Sequence, residues 1–306
     1  MATQRDSVND STSGSADTRA VFDRAVGELR PRLHRYCARM TGSVIDGEDV
    51  VQETLVKAIE AIPRTGAVAH LESWLVRIAH NAALDFLRRR ARQDAAFSDE
   101  DLDMIIDPAA AASDREIAAS SLTAFMHLPV AQRSCVILMD VLGYSLEEIG
   151  TITGSGIPAI KAALHRGRAR LRELAHDQED RPLPVLAEGE RSLLAAYVDR
   201  FNARDFDAIR DMLADEVQLE LVNLTRKRGR SQVGNYFDNY SHVEGWRLGI
   251  GVVDRRPALL VRDLGDGAGA PVYFILLEWA GGRVVNIRDF RYARYVTDGA
   301  ELLILD

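Results

Sequence analysis

The sequence predicts a multidomain chain in which two all-α modules are followed by an α+β module, and three observations carry that reading. At 306 residues the chain is long enough for about two domains, each burying its own core. Apolar residues recur at helical spacing through the first half, as far as Leu174. Beyond His176-Asp177-Gln178-Glu179-Asp180-Arg181-Pro182-Leu183-Pro184, a charged and proline-bearing boundary, the apolar period changes to two.

The formal net charge of -8 means that any nucleic-acid surface must come from local clustering of bases rather than from overall charge. Three such clusters exist: Arg88-Arg89-Arg90 with Arg92, Arg166 to Arg172, and Arg226-Lys227-Arg228 with Arg230. Cys37 and Cys135 sit in separate apolar helical patterns with no second cysteine nearby, which predicts reduced core thiols and no metal pair. No cofactor is expected. The polar stretch 1-17 is expected to be disordered, and it lacks the apolar centre of a secretory signal. With no apolar run of about eighteen residues, the expected location is cytoplasmic, away from the membrane.

The first folded module is expected over 18-92. Val21, Phe22, Val26, Leu29, Leu33, Tyr36 and Met40 trace one helical face, with Pro31 expected near a helix junction. Asp46, Glu48 and Asp49 open the next helix, where the dipole favours negative charge, and Val51, Leu55, Ala58, Ile59 and Ile62 form its buried stripe. Gln52, Glu53, Lys57 and Glu60 are left outward. After a loop containing Gly66, a long helix from about Leu71 to Arg92 carries Trp74, Leu75, Ile78, Ala82 and Phe86 inside and ends in a basic run.

The second module, expected over 114-175, holds a helix-turn-helix. A short helix with Leu146 and Ile149 runs into the turn Gly154-Ser155-Gly156. The following helix carries Pro158 in its first turn, where a missing N–H costs nothing. Ile157, Ile160, Leu164 and Leu171 lie at helical spacing, which leaves Lys161, His165, Arg166, Arg168 and Arg172 for DNA. Lys161 and His165 are the expected groove residues; Arg166 and Arg168 are expected on phosphates.

Asp46-Gly47-Glu48-Asp49-Val50-Val51-Gln52-Glu53-Thr54, then Trp74-Leu75-Val76-Arg77-Ile78-Ala79-His80-Asn81 and Asp85-Phe86-Leu87-Arg88-Arg89-Arg90, resemble the extracytoplasmic-function sigma factors of the bacterial sigma-70 superfamily. Leu128-Pro129 through Leu142 and the helix-turn-helix resemble region four of the same family. The resemblance covers roughly Phe22 to Leu174. It implies that the first segment, with Asp46, Asp49, Gln52 and Glu53, docks on core RNA polymerase at the beta-prime clamp helices, with the beta subunit as a further partner. It implies that the second segment melts promoter DNA and holds the minus-ten element, and that region four reads the minus-thirty-five element. Arg77 and Asn81 are then the expected contacts to the unpaired strand, Trp74 a core residue, and Arg88, Arg89 and Arg90 backbone neutralisers with salt-dependent binding. Two departures stand out: His80 where an arginine is common, and Ala162-Ala163 where polar and basic residues follow the recognition-helix lysine. Two methyl groups there either read thymine methyls or pack closer, with fewer hydrogen bonds to bases.

The stretch 93-113 holds Asp94, Asp99, Glu100, Asp101, Asp103 and Asp107, and reads as an acidic, flexible connector. A second linker is expected over 176-188, and a regulatory domain over 189-306. There, helices marked by Leu194, Tyr197 and Phe201 and by Phe206, Ile209 and Met212 precede a strand at Val217, Leu219 and Leu221. A helix with Val233, Tyr236, Phe237 and Tyr240 follows, then strands at 246-253, 258-261, 272-279 and 284-292, the last two joined through Gly281-Gly282. This order resembles the SnoaL-like domain of the nuclear transport factor two-like superfamily, a cone-shaped α+β fold. The resemblance implies a modulating appendage. Tyr273, Trp279, Arg288, Asp289 and Tyr292, with His242, are candidates for holding a small ligand, although alternation sets Arg288 and Asp289 on opposite faces. No residue is expected to be catalytic. The rival readings are an operator-binding regulator that works without polymerase, against which the Asp46 to Thr54 segment argues, and a SnoaL-like enzyme or ligand sensor fused to a DNA-binding module.

Overall fold

The computed structural model describes residues 10–65, 68, 70–95, 121–176, 186–242, 245–265 and 270–305. The chain divides into two compact units: one runs through Arg172, and the other takes in Glu173–Asp306 with the short pieces Ser43–Ile45 and Ser121–Ala124. No helix among the described residues is long and apolar enough to cross a membrane.

The first unit is helical: α1 Asp10–Thr41, α2 Val44–Thr65, α3 Leu71–Ala95, α4 Leu122–Met126, α5 Val130–Val136, α6 Leu146–Thr153 and α7 Ile157–His176, with a π-helical turn at Ile137–Val141. Of the stretch 1-17 expected to be disordered, residues 10–17 belong to α1, with no proline among them to break it, and residues 1–9 lie outside the described residues. It also runs through Pro31 without a junction. The residue four positions earlier is Gly27, which has no Cβ and nothing near the place a Cβ would occupy, so the backbone can relax around the proline ring. The expected stripe holds at Phe22, Leu33, Tyr36 and Met40, and the structure adds Cys37 and the polar Arg30 and His34 to the buried set. Burial raises the Cys37 thiol pKa well above its ordinary value and raises that of Cys135, so both stay protonated.

Helices α1 and α2 approach closely at Gly47, where an added Cβ would lie 2.6 Å from the Ala38 backbone. The stripe of α2 holds at Val51, Leu55 and Ala58, while Ile59 is exposed. On α3 the core face is rotated from the expected one: Leu75, Val76, Ala79, His80, Ala82 and Ala83 are buried, while Trp74, Ile78 and Phe86 are half-buried. Of the expected connector 93-113, Gln93 to Ala95 continue α3, and the remainder lies outside the described residues.

The second unit comprises α8 Glu188–Asn202, α9 Phe206–Met212, β1 Leu213–Leu221, β2 Thr225–Arg228, α10 Arg230–Ser241, β3 Trp246–Val253, β4 Arg256–Asp263, β5 Tyr273–Ala280, β6 Arg283–Asp289, a 3-10 turn Arg294–Thr297 and β7 Leu302–Leu305. The sheet order is β2-β1-β6-β5-β4-β3-β7. The β1–β6 pair is parallel and the other pairs are antiparallel. The helices pack on one face, with Tyr197, Phe201, Ile209, Phe237, Tyr273 and Ile287 in one core. This is the α+β arrangement that the order of helices and strands in the sequence predicts. Gly281 and Gly282, both at positive φ, close the β5–β6 hairpin, because both central positions need the left-handed region. Two strands escaped the sequence reading: β2, whose residues Thr-Arg-Lys-Arg carry no apolar alternation, and the short β7.

Candidate nucleic-acid interface and its supports

Helix α6 is closed at both ends by its own sequence. Ser145 Oγ accepts the Glu148 N–H at 3.3 Å while the Glu148 carboxylate accepts the Ser145 N–H at 2.8 Å, a reciprocal capping box. That pair holds the Glu148 carboxyl below its ordinary pKa. At the other end Gly154 takes the left-handed conformation, φ 74°, and the chain turns into α7. Gly150 lets the two helices meet, with Ile160 Cδ1 at 3.8 Å from the site of an added Cβ. Ile149, Ile152, Ile160, Leu164 and Leu171 form the seam, while Ile157 is exposed.

This packing turns Lys161, His165 and Arg166 outward as one exposed face. Beside it lies an open cleft of about 510 Å³ lined by Met139, Leu146, Lys161, Leu164, His165, Arg168 and Arg172. Arg168, expected on a phosphate, is committed elsewhere. It pairs in bidentate fashion with Asp140, Nε to Oδ2 at 2.9 Å, and the Asp140 side chain is only 1% exposed. A buried carboxylate needs that planar fork more than a solvated phosphate does. Of the two alanines, Ala163 is buried in the seam and Ala162 is half-buried, so close packing accounts for Ala163. Gly167 allows α7 to press on α5, since a Cβ there would lie 2.7 Å from Val136 Cγ2.

On α3, Arg77 and Asn81 are both exposed and, four residues apart, share a face with the half-buried Trp74. His80 points inward. Its Nδ1 shares a 2.7 Å hydrogen bond with the buried Tyr36 hydroxyl, and burial lowers its pKa to about 4. It is therefore a neutral core residue.

The arginines at the end of α3 meet carboxylates. Arg89 binds Glu53 at 2.9 Å, Arg90 lies 3.3 Å from Asp46, and Arg88 lies 3.2 Å from Asp85. Lys57 adds to this group, 2.8 Å from Glu53 and 3.5 Å from Asp85. Burial raises the Glu53 carboxyl, but Arg89 and Lys57 outweigh it and hold its pKa down. Asp46, expected as a polymerase contact, is buried at 7% exposure, because the first turn of α2 packs inward and its charge is met by Arg90. Asp49 is exposed, and Gln52 and Glu53 are half-exposed. Glu48, on the inner face, is fully buried and paired with Arg30.

Sequence reasoning missed the polar supports of this unit. Arg133 donates to the Met40, Met126 and Leu128 carbonyls at 2.6, 3.2 and 3.0 Å, and burial lowers its pKa to about 10. Tyr144, just ahead of the helix-turn-helix, donates to Glu72 of α3 at 2.8 Å, and Arg32 binds the same carboxylate at 2.7 Å. Tyr144 lies in the loop ahead of the Ser145 cap, and Arg133 lies within α5, where spacing does not show which carbonyls a side chain meets.

In the second unit the sheet separates two of the expected neighbours. Arg288 binds Glu220 at 3.0 Å, while Asp289 is fully buried on the other face. Asp289 accepts from Tyr236 at 2.6 Å, from Tyr240 at 3.1 Å and from the Arg291 backbone N–H at 2.8 Å. His242 stays exposed, bonded to Ser241 and the Asp238 carbonyl. In the third basic cluster Arg226 pairs with Glu220, Arg228 with Glu216 and Arg230 with Asp211.

With this geometry in place, known proteins supply the context. Residues 25–93 match the family description Sigma-70 region 2 and residues 122–171 match Sigma-70, region 4. The RNA polymerase sigma factor CarQ of Myxococcus xanthus is 35% identical over 161 residues, 52% of this chain and 91% of CarQ. The ECF RNA polymerase sigma factor SigM of Mycobacterium tuberculosis is 32% identical over 159 residues, 52% of this chain and 79% of SigM. The chain belongs to the ECF RNA polymerase sigma factors. The sigma factor SigG of Mycobacterium tuberculosis matches more of the chain, 68%, at 29% identity, and that match spans 63% of SigG's own length. The exposed faces of α3 and α7 thus lie within the two matched sigma regions, and the chain from Glu173 onward lies beyond them.

Proposed function

We propose that the chain recruits core RNA polymerase to promoters and initiates transcription. In this reading α2 docks on the polymerase through Asp49, Gln52 and Glu53, with Asp46 setting the helix from within. Arg77 and Asn81 contact the separated strand at the minus-ten element. Lys161 and His165 meet base edges at the minus-thirty-five element, Arg166 meets phosphate, and Arg168 positions the helix that carries them. Arg88, Arg89 and Arg90 contact backbone phosphate once their carboxylate partners are released. The C-terminal unit modulates this activity, and no catalytic role is assigned to any residue.

The observation that carries the reading is the pair of sigma regions in order along one chain, each with an exposed polar face. A promoter must be found as a duplex and then opened, which needs a major-groove reader and a single-strand holder together. The test is in vitro transcription with purified core polymerase, comparing the full chain with a version ending near Asp180. Promoter-dependent initiation by the full chain is expected, with a different level for the shortened chain. Absence of initiation from both would overturn the reading.

A further inference from the structure

The second unit sets two arginines, Arg291 and Arg294, against one cluster of aromatic rings. Other guanidiniums of that unit find carboxylates or carbonyls: Arg210 meets Asp207 at 2.6 Å and Asp238 at 2.5 Å, Arg230 meets Asp211 at 2.7 Å, and Arg204 donates to the Tyr240 and Ser241 carbonyls. Among the described residues, Arg291 and Arg294 have no side-chain hydrogen bond or ion pair. They lie instead over aromatic faces. The Arg291 guanidinium is 5.4 Å from the Tyr240 ring centre, 5.5 Å from that of Trp246 and 6.0 Å from that of Tyr292. Arg294 lies 5.9 Å from Trp246 and 5.8 Å from Tyr273. Stacking satisfies the face of a guanidinium and leaves its five in-plane N–H donors for another acceptor.

The acceptor nearest in sequence is already spent. Asp289 takes its hydrogen bonds from Tyr236, Tyr240 and the Arg291 backbone, and Tyr273 bonds the Tyr240 hydroxyl at 3.0 Å. Two guanidiniums set against one carboxylate leave a net positive rim even when that carboxylate is ionised. Burial, the largest influence on Asp289, raises its pKa. Tyr292 presents a ring that is 47% exposed at the same rim. A planar fork of donors beside an open aromatic face matches one ligand chemistry well: a carboxylate joined to a flat apolar body.

We propose that Arg291 and Arg294, with Trp246 and Tyr292, form a binding site for a small aromatic carboxylate. The carboxylate is held by the two guanidiniums, and its ring lies against Tyr292 and Trp246. The site deepens the reading of the second unit as a regulatory appendage and rests on that reading only for its consequence, not for binding itself.

The full chain, without polymerase or DNA, is titrated with benzoate and 3-phenylpropionate by calorimetry and by tryptophan fluorescence. Benzamide and inorganic phosphate are run in parallel. Saturable binding of at least one carboxylate is expected, at least tenfold tighter than benzamide and phosphate. Arg291→Gln and Arg294→Gln are each expected to weaken it at least tenfold. Tyr292→Ala, a change at an exposed ring that the fold does not need, is expected to weaken it with the thermal midpoint unchanged. Trp246→Phe removes the fluorescence change while calorimetric binding persists. No saturable binding at millimolar ligand, equal binding of the amide or of phosphate, or full affinity in the folded Tyr292→Ala and arginine variants would each overturn the site. Such a failure leaves the promoter reading standing, because polymerase takes no part; conversely, a chain that binds benzoate but does not initiate transcription would retain the site and lose the promoter reading.

Discussion

Arg166 and Arg168 are two residues apart on one helix and look equivalent in sequence, yet the structure gives them separate work. Replacing Arg168 by alanine removes both hydrogen bonds to a carboxylate that is 1% exposed, leaving a buried charge without its cation. Breaking a fully buried pair in this way costs about 3–5 kcal/mol. Because the Arg168 side chain is itself 32% exposed, water can enter and soften the loss, so about 2–3 kcal/mol is expected. For a cooperative unit of this size that corresponds to a fall of about 5–10 °C in the thermal midpoint of the helical unit. Arg166→Ala touches no such partner and should move stability by less than about 0.5 kcal/mol. In the polymerase–promoter complex Arg166→Ala should lower the salt-dependence slope by about one. Differential scanning calorimetry of both variants, with a double-mutant cycle through Asp140→Ala, measures the pair directly. If Arg168→Ala unfolds with the wild type while its salt slope falls like that of Arg166→Ala, the positioning role is wrong.

Three further outcomes follow from the helical unit. Arg30→Ala leaves the fully buried Glu48 without this cation and should cost about 3 kcal/mol, read as a lower urea midpoint. Gly47→Ala forces a methyl group toward the Ala38 backbone, 2.6 Å away, so α1 and α2 must part; hydrogen exchange in both helices should rise with a loss of about 1–3 kcal/mol. His80 has a folded pKa of about 4 against an ordinary value of 6.5, so the unfolded chain binds the proton more tightly. Its stability contribution is therefore complete above about pH 6.5 and declines as pH falls toward 4, by about 2 kcal/mol between pH 7 and pH 5. His80→Asn should flatten that part of the urea-midpoint profile; an unchanged slope would refute the assignment.

Much of the fold was legible because its elements are punctuated locally. Ser145, Glu148 and Gly154 bracket α6 by chemistry readable in the sequence, and Gly281-Gly282 marks a hairpin in the same way. The outward face of α7 followed from spacing alone. What spacing cannot show is where a charged side chain finds its partner. Arg168 reaches back to Asp140, Arg90 to Asp46 and Arg133 to the Met40 carbonyl, and each pairing joins residues far apart in the chain. Asp46 and Glu48 read as a solvated helix start because the dipole rule concerns the helix end and is silent about which neighbour covers it. His80 looked like an altered DNA contact until Tyr36 supplied its partner. In the second unit, alternation did separate Arg288 from Asp289, but it gave no sign that three tyrosines would gather around the buried acid.

The ion pairs between α2 and the end of α3 have a thermodynamic corollary. Glu53 holds Arg89, so a cation offered to that carboxylate from outside and an anion offered to that arginine each dissolve the same bond. Whichever arrives first removes part of the work for the second, and linkage makes the favour mutual. The Arg89–Glu53 pair is partly exposed on both sides and so worth at most about 1 kcal/mol, or roughly a fivefold change in affinity. One weak surface bond would thus make this end of the molecule bind opposite charges cooperatively without any movement of its helices.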